Sequence, residues 1–194
     1  MKFLLLFTYC TAAIASLVAT ASNDNAVQVR DPTADSATDG GSLARLLSRD
    51  SSDAYQEAAR VAGGSLSSNT YYYFMNCAIA PDWYQPTTSL GQWAMSEHGC
   101  NHVGLVVGKT ARILKKFKAT YIHIRLLSDG FCQASHDYTP YENQKLVYGG
   151  RTSSSKANVD RLVAKGDEWL EGSGTVLTEQ YNCVAHYRYL ESLL

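Results

Sequence analysis

Several features are absent from this sequence, and their absence argues against N-glycosylation, a general attraction to nucleic acid, and a further membrane span. It has no Asn-x-Ser/Thr sequon, so N-linked glycans are not expected. Its 17 basic and 18 acidic residues nearly cancel, so net charge gives no general attraction to nucleic acid. Beyond the first residues, no stretch approaches the ~20 apolar residues that a membrane span needs. We therefore expect the mature protein to be soluble. No internal repeat is visible.

The N-terminus has the features of a secretory signal peptide. Residues 3–18 are mostly apolar, and Ala19-Thr20-Ala21 fits the small-x-small cleavage rule. We therefore expect residues 1–21 to be removed and the protein to be secreted into the extracellular space. Residues 22–64 are predicted to be a polar, pro-like and disordered segment with a short helix over 52–62. The reason is that 23–41 contains no aromatic residue and cannot bury a core.

The remaining residues, 65–194, are predicted to form one α+β domain with a small antiparallel sheet and packed helices. Apolar or tyrosine-rich stretches predict strands over 70–79, 101–107, 120–127 and 144–148, with Gly108 ending the second. Apolar residues at helical spacing predict a helix over 153–171, and Asn182 is placed to cap a last helix. The segments 81–92 and 128–143 are predicted loops.

The cysteines allow two different interpretations of the C-terminal part. Cys10 would leave with the signal peptide, so the secreted chain keeps Cys77, Cys100, Cys132 and Cys183. In an oxidising compartment, four cysteines favour two disulfides with three possible connectivities. We expect Cys100 to be bridged to Cys77 or Cys132, and Cys183 to be either bridged or free.

A free Cys183 would be well placed for nucleophilic chemistry. It follows the capping residue Asn182, and a thiol at a helix N-terminus has its pKa lowered. His102 begins one predicted strand and His123 lies within the next. One histidine could act as the base toward the thiol while the other orients it. The alternative is that both are ordinary strand residues; His186, in the last helix, favours surface or packing over catalysis.

Two other features have weaker functional interpretations. His98, Cys100 and His102 alternate and would share one face of a strand, but such a row is too linear for a tetrahedral metal site without a partner such as His123. We predict no metal and no cofactor. Segment 109–125 holds six basic and no acidic residues. It could contact an anionic membrane surface through Lys115, Lys116 and Lys118, or be a solvated hairpin tip; no clear nucleic-acid partner follows from it.

The order of these elements resembles the lecithin:retinol acyltransferase-like family, a permuted branch of the papain-like (NlpC/P60-related) superfamily. The matching motifs are His102-Val-Gly-Leu-Val-Val-Gly108, Tyr121-Ile-His123, the helix before Gly172, and Asn182-Cys183 followed by Tyr187-Arg188-Tyr189. The residues directly after Cys183 and the 21-residue gap between the two histidines differ from the family pattern. The resemblance covers about residues 101–190 and implies a permuted papain-like core.

The resemblance also implies an activity, namely a thiol acyltransferase or hydrolase acting on acyl-lipids or amides. Cys183 would be the acylated nucleophile, His102 the base and His123 the orienting third member. The competing hypothesis is a non-enzymatic secreted effector or toxin-like protein stabilised by two disulfides. The enzyme hypothesis requires a free Cys183 thiol, whereas the effector with two disulfides requires Cys183 in a disulfide.

Overall fold

A computed structural model describes residues 52–82, 84–127, 130–173 and 176–194. The predicted signal peptide and most of the predicted polar segment lie outside these residues. The described helices are α1 (Asp53–Val61), α2 (Ser89–His98), α3 (Val159–Leu170) and α4 (Cys183–Ser192). The strands are β1 (Tyr71–Ile79), β2 (Cys100–Thr110), β3 (Phe117–Leu127), β4 (Gly130–Asp137) and β5 (Gln144–Thr152).

The five strands form one antiparallel sheet in the order β4-β3-β2-β1-β5. In the centre of the sheet, Leu105 of β2 lies opposite Met75 of β1 and Ile122 of β3. The sheet is largely a meander, except that β5 returns to pair with β1 at the far edge. The predicted α+β class with an antiparallel sheet and packed helices is therefore confirmed.

Helices cover both faces of the sheet. On one face, Ala58 of α1 packs in a cluster with Phe74 and Val106. On the other face, Leu162 of α3 and Leu190 of α4 pack in a second cluster with Leu105 and Ile122. Helix α1, expected within the polar segment, thus belongs to the core, and the folded unit begins before residue 65.

Two strands extend through glycines at which the sequence had predicted that they would end. Gly108 was expected to end β2, but β2 continues to Thr110, and its pairing with β3 runs on through Gly108 and Ala119. A Cβ at Gly108 would lie only 2.2 Å from Lys118 O, so the close approach of the two strands requires glycine there. β5 likewise runs through Gly149, where a Cβ would meet the Tyr73 ring at 2.3 Å. These glycines allow adjacent strands of the sheet to approach closely, and they do not end the strands in which they lie.

Three other boundaries were predicted incorrectly. The predicted loop 81–92 contains the start of α2, whose cap Thr88 accepts a hydrogen bond from Gly91 N–H at 3.0 Å. The predicted loop 128–143 contains edge strand β4, which is intermediate to exposed and therefore carries a weak hydrophobic pattern. Helix α3 starts after its cap Asn158 instead of at residue 153.

One disulfide joins adjacent strands β1 and β2, between Cys77 and Cys100. This confirms the first of the two partners expected for Cys100. Cys183 is a free thiol. Among the described residues, no helix is long and apolar enough to cross a membrane.

Candidate active site

A cleft of about 480 Å³ lies where β2 and β3 meet the start of α4. The ladder between β2 and β3 runs from Thr110 and Phe117 to Leu105 and Ile122. His102 and His123 both lie beyond the end of this ladder, and both line the cleft together with Cys183. The three residues predicted from the sequence as catalytic are therefore brought to one cavity by three different elements.

Asn182 fixes the position of Cys183 at the first turn of α4. The Asn182 Oδ1 accepts a hydrogen bond from Ala185 N–H at 2.9 Å, which satisfies one of the free amides of the helix start. The Asn182 Nδ2 donates to Thr178 O at 2.8 Å and to Glu179 O at 3.3 Å. The predicted cap is confirmed, and the same side chain ties the preceding turn to the helix.

The Cys183 thiol is protonated in the resting protein. Burial raises its pKa, and this effect exceeds the opposing influence of the backbone N–H groups of Val103 and Val184. The helix N-terminus had led us to expect a lowered pKa, and that expectation was wrong because desolvation dominates. Those same N–H groups nevertheless favour negative charge at the sulfur, and Val103 directly follows His102 along the chain.

The two histidines are linked by a hydrogen bond between His102 Nε2 and His123 Nδ1, 3.1 Å apart. Burial and the nearby Arg125 charge lower the pKa of His102 to about 4. Burial, followed by the charges of His102, Arg125 and His136, lowers the pKa of His123 to about 3. Both imidazoles are therefore neutral at pH 7 and able to accept a proton.

The glycine two residues after His102 makes room for this pair. His123 is 8 % exposed, and its ring lies parallel to the Tyr121 ring with centroids 4.5 Å apart. A Cβ at Gly104 would lie 2.6 Å from Tyr121 Cε2 and 2.7 Å from His123 Cβ. The His-x-Gly spacing seen in the sequence thus has a steric basis.

His186 lies close to the site but serves packing. It is fully buried, and its Nε2 lies 2.8 Å from Gln133 Oε1. The Gln133 Nε2 donates to Val163 O at 2.7 Å, which connects β4 to α3 and α4. Burial, together with the charge of His102, lowers the pKa of His186 to about 4. Sequence reasoning missed Gln133 because it missed β4.

The alternating row His98, Cys100, His102 does not form a ligand set. Cys100 is in the disulfide and so supplies no thiolate. His98 ends α2 instead of lying on a strand, and its ring packs against Trp93 at 5.2 Å. Within the described part of the chain, no group of three or more His, Cys, Asp or Glu side chains could hold a metal ion.

The walls of the cleft are mainly apolar. They include Val103, Ile124, Leu127, Phe131, Leu177 and Val184. Leu127 and Leu177 are 43 % and 47 % exposed, so the apolar surface continues to the rim. Arg125 and Tyr84 also line the cleft. The alternation along β3 already placed Arg125 on the same side as His123, whereas no sequence signal pointed to Tyr84.

The basic segment 109–125 forms the β2–β3 hairpin and its tip. The tip is closed by the hydrogen bond from Ala111 N–H to Lys116 O at 2.8 Å. Ile113, at 90 % exposure, projects there beside the exposed Lys115 and Lys116. The tip lies at the opposite end of the two strands from the cleft.

No protein-family model, no curated protein and no solved structure matches this chain. Functional inference therefore depends on the geometry of the cleft. The family resemblance noted in the sequence stays a hypothesis.

Proposed function

We propose that the protein is a cysteine-dependent acyltransferase or hydrolase that acts on an acyl-lipid or amide bond, with Cys183 as the nucleophile. The observation that carries this proposal is the convergence of a free thiol and two hydrogen-bonded histidines on one cleft. The proposed roles are those implied by the permuted papain-like resemblance. The apolar walls fit an acyl chain, because apolar surface is what such a chain buries favourably.

In the proposed reaction, His102 acts as a general base instead of forming a resting ion pair with the thiol. Its Nε2 is engaged with His123 Nδ1, so Nδ1 is the ring nitrogen proposed to accept the Cys183 proton once substrate is bound. As that proton moves, the sulfur bonds to the acyl carbon, and the bond to the leaving group breaks. His102 then returns the proton to the leaving group, and water or another acceptor cleaves the thioester.

The tautomers follow from these roles. If His102 Nδ1 accepts the proton, Nε2 carries a hydrogen and donates to His123 Nδ1. His123 then orients the base and carries its own hydrogen on Nε2, an atom without a hydrogen-bond partner among the described residues. The backbone N–H groups of Val103 and Val184, which already favour negative charge at the sulfur, are the candidates for stabilising the developing oxyanion.

The test uses p-nitrophenyl acyl esters of increasing chain length with the secreted, oxidised protein. We expect nitrophenolate release and an acyl adduct on Cys183 in the intact mass spectrum. Cys183→Ala should abolish both signals, and His102→Ala should slow acylation by about 10²-fold or more, the usual contribution of a general base. Cys132→Ala is the matched control and should leave both signals unchanged.

The pH profile gives a second readout. Because the base must be neutral, activity should fall as pH decreases through about 4, the pKa of His102. An acid limb near 6.5, or turnover that survives Cys183→Ala, would contradict the proposed roles.

A second candidate function is membrane binding by the hairpin tip. Exposed Ile113 next to Lys115 and Lys116 combines an apolar anchor with cations, as in segments that bind anionic lipid surfaces. Six residues of β3 at ~3.3 Å each separate Phe117 from His123, so the tip lies about 20 Å from the histidines. Lipid bound at the tip would therefore not reach the cleft.

This second function predicts salt-sensitive binding to vesicles containing phosphatidylserine. Replacing Lys115, Lys116 and Lys118 together with Gln should abolish sedimentation with these vesicles, while neutral vesicles should bind neither protein. Equal binding by the triple variant would exclude the tip as the contact.

A further inference from the structure

The cleft contains one permanent cation, and its described lining holds no acidic residue. Arg125 lines the cavity together with the two histidines and Cys183. The ion pairs found in the described part of the chain are Arg60–Glu57 and Lys165–Glu168, and neither involves Arg125. An exposed guanidinium at an apolar cavity, without a carboxylate partner among the described residues, is available to an anion from solution.

The position of Arg125 on β3 places it next to the reacting groups. It lies two residues beyond His123 on the same side of the strand, a separation of about 7 Å between the two Cα atoms. Its charge acts on both histidines of the proposed triad and contributes to lowering their pKa values. A group bound to Arg125 would therefore lie in the same cleft as a carbonyl attacked by Cys183.

We propose that Arg125 determines the specificity of the cleft by binding a carboxylate or phosphate group carried by the acyl substrate. This inference rests on the proposed function and narrows its substrate class to acyl compounds with an anionic group near the reacting carbonyl. The guanidinium is suited to this role because it can form two parallel hydrogen bonds to either oxyanion. The apolar walls would bury the rest of the substrate.

Electrostatics supports the same assignment. In the free protein, burial and, to a smaller extent, the Arg125 charge lower the pKa of His102 and make it a weaker base. A bound anion would offset this charge, so the base would gain strength only when the correct substrate is present. The arrangement then couples recognition to proton transfer, whereas a neutral substrate would leave His102 with its lowered pKa.

The first experiment measures binding separately from catalysis. In the Cys183→Ala background, calorimetric titration compares glutaramate with glutaramide, which have nearly the same shape but differ by one negative charge. Methyl phosphate is the phosphate probe. We expect glutaramate or methyl phosphate to bind about tenfold more tightly than glutaramide, the amount that about one charge-assisted hydrogen bond supplies.

Three variants test whether Arg125 causes the preference for anionic probes over the neutral one. Arg125→Gln should remove it, and Arg125→Lys should retain part of it, since lysine keeps the charge but not the paired donors. Arg112→Gln, on the hairpin tip, removes the same charge far from the cleft and should leave the preference intact. Equal affinities for charged and neutral probes, a preference that survives Arg125→Gln, or no binding of either anion would overturn the proposal.

A kinetic comparison distinguishes failure of this inference from failure of the proposed function. The p-nitrophenyl monoester of glutarate should give a higher kcat/KM than p-nitrophenyl butyrate, and Arg125→Gln should make the two equal. Cys183-dependent turnover without any charge preference would overturn only the role of Arg125. Anion binding without Cys183-dependent turnover of either ester would overturn the proposed function while leaving the anion site in place.

Discussion

Removal of the Cys77–Cys100 disulfide should destabilise the protein by an amount that can be worked out from the structure. The bridge spans a sequence separation of 23 residues. For a loop of this length, the chain-entropy relation gives about 3 kcal/mol of stabilisation at 25 °C. In a folded unit that spans residues 52–194, a loss of ~3 kcal/mol corresponds to a decrease in Tm of about 10 °C.

The assay is thermal unfolding with and without dithiothreitol. The wild-type protein should lose about 10 °C on reduction. Cys77→Ala/Cys100→Ala should unfold at the lower temperature in both conditions. Cys183→Ala is the matched control and should respond to dithiothreitol as the wild type does, because the structure leaves this thiol free.

The same assay separates the two functional hypotheses. If Cys77→Ala/Cys100→Ala stays sensitive to dithiothreitol and Cys183→Ala responds less than the wild type does, Cys183 takes part in a second bridge. That result would contradict the free thiol of the structure, exclude Cys183 as the nucleophile, and favour the non-enzymatic effector stabilised by two disulfides. Sensitivity that depends only on Cys77 and Cys100 would instead support a protein whose Cys183 thiol is free.

Three further predictions concern the free thiol, the strand glycine and the buried histidine. Because burial raises the Cys183 pKa, its alkylation by iodoacetamide at pH 7 should be slower than that of a short cysteine peptide and should accelerate as pH rises. Peptide mass mapping measures the rate of this alkylation. A rate above that of the peptide would contradict a protonated thiol in the resting protein. Gly108→Ala should cost about 2–3 kcal/mol in chemical denaturation, because β2 and β3 must separate. Gly99→Ala, where no atom lies within 4 Å but φ is 66°, should cost only about 1 kcal/mol, so equal losses would count against the close-approach argument. The pKa of His186 falls from 6.5 to about 4 on folding, so the unfolded chain binds the proton first and stability is lost as pH falls from 6.5 to 4. This loss amounts to about 3 kcal/mol, and His186→Gln should flatten the dependence of unfolding free energy on pH over that range; an unchanged slope would show that other groups cause it.

The parts of the fold that could be predicted from the sequence are those with strong local sequence patterns. Strand β1 and the cap Asn182 were correctly found, because a tyrosine-rich apolar run and an Asn before a helix act through local geometry. Edge strand β4 was missed because its hydrogen bonds to β3 are made by the backbone and need little side-chain pattern. Gly108 was misread for a related reason, since the contact that requires glycine comes from Ala119 and Lys118 on another strand.

For the candidate site, the residue types and their order could be read from the sequence: a histidine at the start of one strand, a second on the next, and a cysteine after a helix cap. The hydrogen bond between His102 and His123, the free state of Cys183 and the protonation of its thiol became apparent only in the folded protein. Pairing and desolvation depend on atoms that are distant along the chain. Propensity and capping act over a few residues, whereas the ionisation of a buried group depends on everything packed around it.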